Sequence, residues 1–469
     1  MAVLLEQSPD QYNAAYIPNV YVLDSLGAAD KYVLSIYIGG VIVATFKQNE
    51  NQEGLAIFDV QKVLQSYLEL QTQNSSAGFL AETEEATQTP TVALTYQARY
   101  GSDTDGVITY DGYASTKYVF NVYDNWRNID WDETPFMPEP SSIACEVGSA
   151  VNARYSTTYN YLTNWPLTGT ITINSNTGIR QPVRSDDWRT LSFMNRIGNF
   201  NDGTNWGVNL APYMVTIDFY RPNGTIASQI YYALSNAQGL NVRTDCNDLT
   251  PTYPNDDYLV ATIGSGPENL KEAGYWPSGD VAHYDVRVLS ANACEWDISG
   301  NIADCTALDF FNDYWGDPIF EAQYYISDEC TKFDPIQIAF MNQYGVLDYT
   351  TWDRRNTKTV NTQRNNYYKL LGTWNSDAFS IDPQGRGQTN FSSQIVTEVT
   401  ASSYWMEDAE SKWLQELFTS PQVYIYIDGQ WEPVVISTQT YDEKTIAREK
   451  MFRYSLTFTY SNNKKTQRG

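Results

Sequence analysis

The hydrophobic positions of this chain come mostly in short alternating runs, a pattern that predicts strands. The clearest signal lies between Lys31 and Lys47, where Tyr32 to Ile38 and Val41 to Phe46 flank Gly39-Gly40. A Gly-Gly pair supplies the positive φ angles of a two-residue turn, so this segment predicts a β-hairpin. Downstream the period changes. Val60, Val63, Leu64, Tyr67 and Leu68 have the spacing of one helical face, with Asp59 placed as N-cap, and predict a short helix packed on the preceding sheet. Strands resume at Thr91 to Tyr100 and Val107 to Tyr123, with Gly101 and Gly106 punctuating the turn. Pro135, Pro138 and Pro140 then stop regular structure.

From about residue 141 to 325 the chain is dense in Asn, Asp, Gly and Thr, and short strands are expected at Thr170 to Ile173, Tyr213 to Tyr220 and Ile226 to Leu234. The Asn223-Gly224 step between the last two predicts a hairpin. Further on, Ile336 to Phe340 and Val346 to Trp352 bracket a turn at Asn342 to Gly345. A polar loop follows, and then Trp405, Ala409, Trp413, Leu414 and Leu417 mark an amphipathic helix that stops at Ser420-Pro421. Val423 to Ile427 and Trp431 to Ile436 predict a hairpin around Asp428-Gly429, and Arg453 to Tyr460 a closing strand. The expected fold is mainly β and multidomain, with β-sandwich-like domains and a few short helices. Its expected divisions are an N-terminal β-sandwich with one short helix over residues 1–135, a central loop-rich β domain over 141–325, and a C-terminal β domain with one amphipathic helix over 326–469.

Composition narrows the function. Aromatic residues make up 14% of the chain, with 36 Tyr and 13 Trp, while only 18% of residues are charged. Tyr and Trp combine a large apolar body with one polar handle and suit interfaces. The formal charge of −26 repels phosphate backbones and anionic membrane surfaces, so neither nucleic acid nor membrane is an expected partner. The same charge also serves plain solubility. The first ten residues lack a basic n-region, and no apolar run approaches the ~20 residues of a spanning helix, so synthesis in a cytoplasm is expected.

Candidate chemistry is sparse. Cys145, Cys246, Cys294, Cys305 and Cys330 are irregularly spaced and read as buried free thiols, although folding could unite the last four around zinc. Asp103-Thr104-Asp105-Gly106 opens like a calcium loop, but no further carboxylates follow at the required spacing, and a plain turn is expected. Asp186-Asp187 and Asp256-Asp257 also read as loop residues. His283 is the only histidine and falls in an alternating run, which predicts a strand residue. Some pair of the 56 acidic residues must stand near enough for glycoside hydrolysis, yet none is singled out, and Trp126, Trp131, Trp188 and Trp206 serve equally for sugar stacking or for packing. No P-loop or dinucleotide fingerprint occurs, and no metal, cofactor or catalytic residue is assigned.

One charge contrast stands out. Arg354, Arg355, Lys358, Arg364 and Lys369 concentrate positive charge in a strongly acidic chain, which is either a subunit interface that fixes register or a solvated loop after a strand.

Three segments carry a resemblance: Lys31 to Gly40 running on to Phe58-Asp59-Val60 and the short helix, Phe340 to Tyr349, and Ser420 to Ile425 with the hairpin after it. In these the chain resembles virion structural proteins of tailed bacteriophages, of the tail, baseplate or neck type. The resemblance implies a non-catalytic, symmetric homo-oligomer within a virion, contacting other virion proteins and copies of itself through β-sandwich domains. The alternative is a carbohydrate-binding or carbohydrate-cleaving phage or surface protein.

Overall fold

The computed structural model describes residues 3–9, 12–25, 31–68, 81–85, 93–122, 163, 181–194, 197–198, 209–210, 213–234, 242–243, 258–291, 315–327, 332–385, 387–406, 408–438, 452–462 and 464–465. The chain is mainly β, with several sheets and three short helices among these residues. It packs as two compact units, one formed by Met1–Asp328 with Met341–Tyr349, the other by Glu329–Phe340 with Thr350–Gly469. The proline-rich stretch at 133–140 and the strand expected at Thr170 to Ile173 lie outside the described residues.

The first unit begins with a sandwich. One sheet runs Val3–Gln7, Val20–Ser25, Ala56–Asp59. The other runs Tyr12–Ala14, Lys117–Phe120, Ala93–Thr104, Lys31–Ile38, Val41–Gln48, with Val107–Tyr113 also paired to Ala93–Thr104. Alternation puts Tyr32, Leu34 and Ile36 on the inner face with Leu94, Tyr96 and Ala98 of the neighbouring strand, and there they meet Tyr21, Leu23 and Phe58 of the smaller sheet. The Gly39-Gly40 turn has both residues at positive φ, 58° and 77°, as the sequence predicts.

Two local expectations shift. The helix is Gln61–Gln65 with Val60 as its N-cap residue, and Asp59 stands one position earlier, where its Oδ1 still accepts the Gln61 N–H at 3.0 Å. Gly101 is not in a turn. The strand runs through it to Thr104, and a Cβ at Gly101 would lie 1.9 Å from the Thr109 carbonyl oxygen, so glycine is there to let two backbones approach.

A second core of the same unit lies under a larger sheet with the order Gln181–Val183, Trp315–Ile326, His283–Ala291, Tyr213–Tyr220, Ile226–Leu234, Val242–Arg243. Its inner face contributes Val215, Ile217, Phe219, Tyr284, Val286 and Tyr324. These pack with Leu191 and Ile263 from the three-stranded sheet Thr190–Met194, Tyr258–Gly264, Ala81–Glu85, and with Leu270 of helix Pro267–Glu272. The buried Tyr284 and Tyr324 rings stack at 4.9 Å, and both hydroxyls reach Ser265. The expected turn at Asn223-Gly224 is present, with Asn223 Oδ1 accepting the Thr225 N–H at 3.0 Å.

Arg189 is buried in this unit, and both terminal nitrogens of its guanidinium are engaged. Its guanidinium lies 3.1 Å from Asp187 Oδ2 and donates to the carbonyls of Tyr349 at 2.9 Å and Pro182 at 3.1 Å. Its backbone N–H donates to Asn269 Oδ1 at 2.9 Å.

The second unit is built on one antiparallel sheet in which residues 336–340, Val423–Ile427, Gln430–Ile436, Ser455–Tyr460, Gln388–Ser402 and Asn356–Tyr368 follow in that order, with Lys464–Lys465 also paired to Gln388–Ser402. Helix Asp408–Thr419 lays Trp413, Leu414 and Leu417 into the core, and Trp413 meets Phe340 with ring centroids 5.2 Å apart. Trp405, expected on that helix, precedes it and is half exposed. The larger departure concerns the expected polar loop after Trp352. It is a long β-hairpin.

Candidate assembly surface

Asn356–Tyr368 pairs with Gln388–Ser402 along its whole length, from Asn356 opposite Ala401 to Tyr368 opposite Gln388. Thirteen strand residues at ~3.3 Å each give a ribbon about 40 Å long. It is held in the sheet along more than half its length, since Ser455–Tyr460 pairs with Glu398 to Ser402 and Lys464–Lys465 with Gln394 and Ile395. The remainder, Gln388 to Ser393 with its partners, is two-stranded among the described residues.

The outer strand of this stalk is polar on both faces. Thr357, Thr359, Asn361 and Gln363 alternate with Lys358, Thr362 and Arg364, and only Val360 interrupts them. Every residue of the outer strand after Asn356 is exposed. With no apolar face of its own, the outer strand has nothing to bury against a core.

The tip is different in kind. Tyr368, Leu370, Trp374 and Ile381 are 81%, 77%, 67% and 69% exposed, and Tyr367, Leu371, Phe379 and Phe391 are about half exposed. The segment nevertheless has defined structure. Trp374 pairs with Phe379 in a small hairpin, and Asn375 Oδ1 closes its turn by accepting the Ala378 N–H at 3.0 Å. Gly372, at φ 128°, permits the close approach of the Ser380 carbonyl, and the Lys369 N–H returns to the Gly387 carbonyl at 2.8 Å. From the ring areas typical of Phe, Tyr and Trp, the five aromatic side chains alone offer roughly 600 Å². That much exposed aromatic surface at one end of a hairpin is at the upper limit of what a monomer ordinarily leaves uncovered.

The five basic residues singled out in the sequence belong to this arm, strung along it and not gathered in one patch. Arg354 and Arg355 lie at its base, with Arg354 Nε 3.4 Å from Asp353 Oδ1. Lys358 and Arg364 share one face of the outer strand, and Lys369 stands at the tip. Lys358 Nζ lies 5.8 Å from the centroid of the Tyr460 ring. The apolar tip was missed in the sequence, where its residues alternate irregularly with turn formers and give no strand or helix period.

The other candidates are accounted for locally. Asp103 pairs with Lys47, Nζ to Oδ2 2.6 Å, and Asp105 and Gly106 at φ 53° and 84° form a hairpin turn. The Lys47 ammonium holds the Asp103 carboxyl below the usual carboxylate range. Asp187 serves the buried Arg189, while Asp186 is exposed. His283 is a strand residue stacked on Tyr220 at 4.5 Å. Beside it, Asp218 and Asp285 stand directly opposite on neighbouring strands, with Arg287 2.7 Å from the first and 3.8 Å from the second. A guanidinium spanning both carboxylates makes this an ion-pair cluster, since acid-base work on a glycoside needs one carboxyl protonated and the space between free. Trp188 is half-buried; Trp126, Trp131, Trp206, Asp256, Asp257 and the five cysteines lie outside the described residues.

No protein-family model and no curated protein matches this chain.

Proposed function

We propose that this chain is a non-catalytic structural subunit of a larger protein assembly, of the tail, baseplate or neck type found in tailed bacteriophages, and that it joins its neighbours through the arm. The arm carries the reading. A two-stranded ribbon is only marginally stable by itself in water, and one that ends in eight largely exposed apolar side chains is suited to being covered by another protein. A polar stalk with an apolar end gives reach first and adhesion last. The aromatic surplus of the chain and its resemblance to virion proteins support the same reading. Among the described residues nothing favours the carbohydrate alternative, because the one opposed carboxylate pair of the central sheet is bridged by Arg287.

The test is to purify particles from the source, identify their proteins by mass spectrometry, and compare wild type with a Leu370→Ser, Trp374→Ser variant. The variant is expected to fold and to be missing from the particles. Particles without the wild-type chain, or full incorporation of the variant, would refute the proposal.

A further inference from the structure

We infer that the arm of one copy is received by the acidic body of a second copy of this chain, arm to body and not arm to arm. This rests on the proposed structural role and names the partner of the same surface. Residues 354–402 contain six Lys or Arg against three Asp or Glu, a net +3, which leaves −29 of the chain's −26 to the remaining residues. The stalk is thus a cationic strand on a strongly anionic molecule, and the nearest abundant surface of opposite sign is another copy of the same protein. Two arms laid side by side would instead bring +3 against +3, with Lys358 opposite Arg364 in the antiparallel register centred on Asn361.

The contact has the size it needs. Enclosed on both faces, the roughly 600 Å² of aromatic surface at the tip, with Leu370, Leu371 and Ile381 added, comes close to the ~800 Å² per partner of a standard stable interface. Among the described residues no strand pairs with the outer edge of Asn356–Tyr368, and its row of backbone donors and acceptors can be met by an incoming strand or loop. A lipid surface would also accept the apolar tip, but the charge on the body opposes approach to anionic membranes.

Sedimentation velocity of the purified full-length chain at low and high salt tests this, with a Lys358→Glu, Arg364→Glu variant, the Leu370→Ser, Trp374→Ser variant, and a chain in which residues 361–396 are replaced by a short Gly-Ser turn. Circular dichroism confirms that each variant is folded; the stalk and tip substitutions fall on exposed positions. Wild type is expected to self-associate, more tightly at low salt, and both substitution variants to weaken association about tenfold or more. The armless chain is expected to be monomeric alone yet to bind wild type, because it keeps the receiving body. Failure of the armless chain to bind wild type that does self-associate would overturn arm-to-body contact. Wild type that stays monomeric at both salts would overturn the second copy as partner, and so would monomeric wild type that binds phosphatidylglycerol–phosphatidylcholine vesicles with a blue shift of tryptophan fluorescence. In either case the proposed structural role stands or falls separately, on whether the tip variant still enters particles.

Discussion

Replacing Arg189 by methionine isolates the value of the buried ionic centre in the first unit. Arg189 and Asp187 are each 2% exposed, so the substitution leaves a carboxylate in a site that water does not reach. The carbonyl oxygens of Tyr349 and Pro182 lose their guanidinium donors at the same time. Breaking one partner of a buried pair costs about 3–5 kcal/mol, and the Tyr349 carbonyl keeps a second donor, Gln181 Nε2 at 2.8 Å. Asp187 keeps one compensating contact, the Arg184 N–H at 2.9 Å, which limits the loss. Urea unfolding followed by tryptophan fluorescence is the assay, read as a shift of the midpoint at unchanged slope. The Asp187→Asn, Arg189→Met double variant removes the stranded charge and is expected to recover about 1–2 kcal/mol of the loss. A loss under about 1 kcal/mol in the single variant would show that the pair contributes no more than an exposed one.

Two further outcomes are expected. The carboxyl of Asp103 is held low by Lys47, so its contribution to stability is present above the ordinary carboxylate pKa of ~3.9 and is lost as pH falls through the lowered folded value; Lys47→Met should flatten acid unfolding curves in that window, and identical curves would refute the assignment. Gly101→Ala places a Cβ against the Thr109 carbonyl and should destabilise by roughly 1–3 kcal/mol in the same urea assay, whereas Gly40→Ala, in open space at positive φ, should cost only about 1 kcal/mol.

Much of the mainly-β architecture was legible because its strands bury one face. Val215, Ile217 and Phe219 alternate with Thr216 and Asp218, and Gly39-Gly40 and Asp428-Gly429 carry turn geometry in their identities. The arm was not legible for the converse reason. With polar residues on both faces, Asn356–Tyr368 has no hydrophobic period, and backbone pairing with Gln388–Ser402 holds it where side-chain burial does not. Composition alone therefore read it as a loop. Gly101 misled in a similar way, since a glycine at a close backbone crossing looks in sequence like a glycine in a turn. The five basic residues were visible as a group, but their spread along one edge depends on a strand the pattern did not announce. Asp218 and Asp285 are 67 positions apart in the chain, and only sheet register makes them neighbours.

An arm that differs in chemistry from the surface receiving it makes a heterologous joint. In the proposed arm-to-body joint, each copy that gains a neighbour on one side would still offer an unused grip on the other, so addition would end only where the rotation between successive copies closes a ring. The angle at which the stalk leaves its sheet near Glu398, where the ribbon parts from Ser455–Tyr460, would then set whether the proposed joint closes a ring or runs on as an open helix.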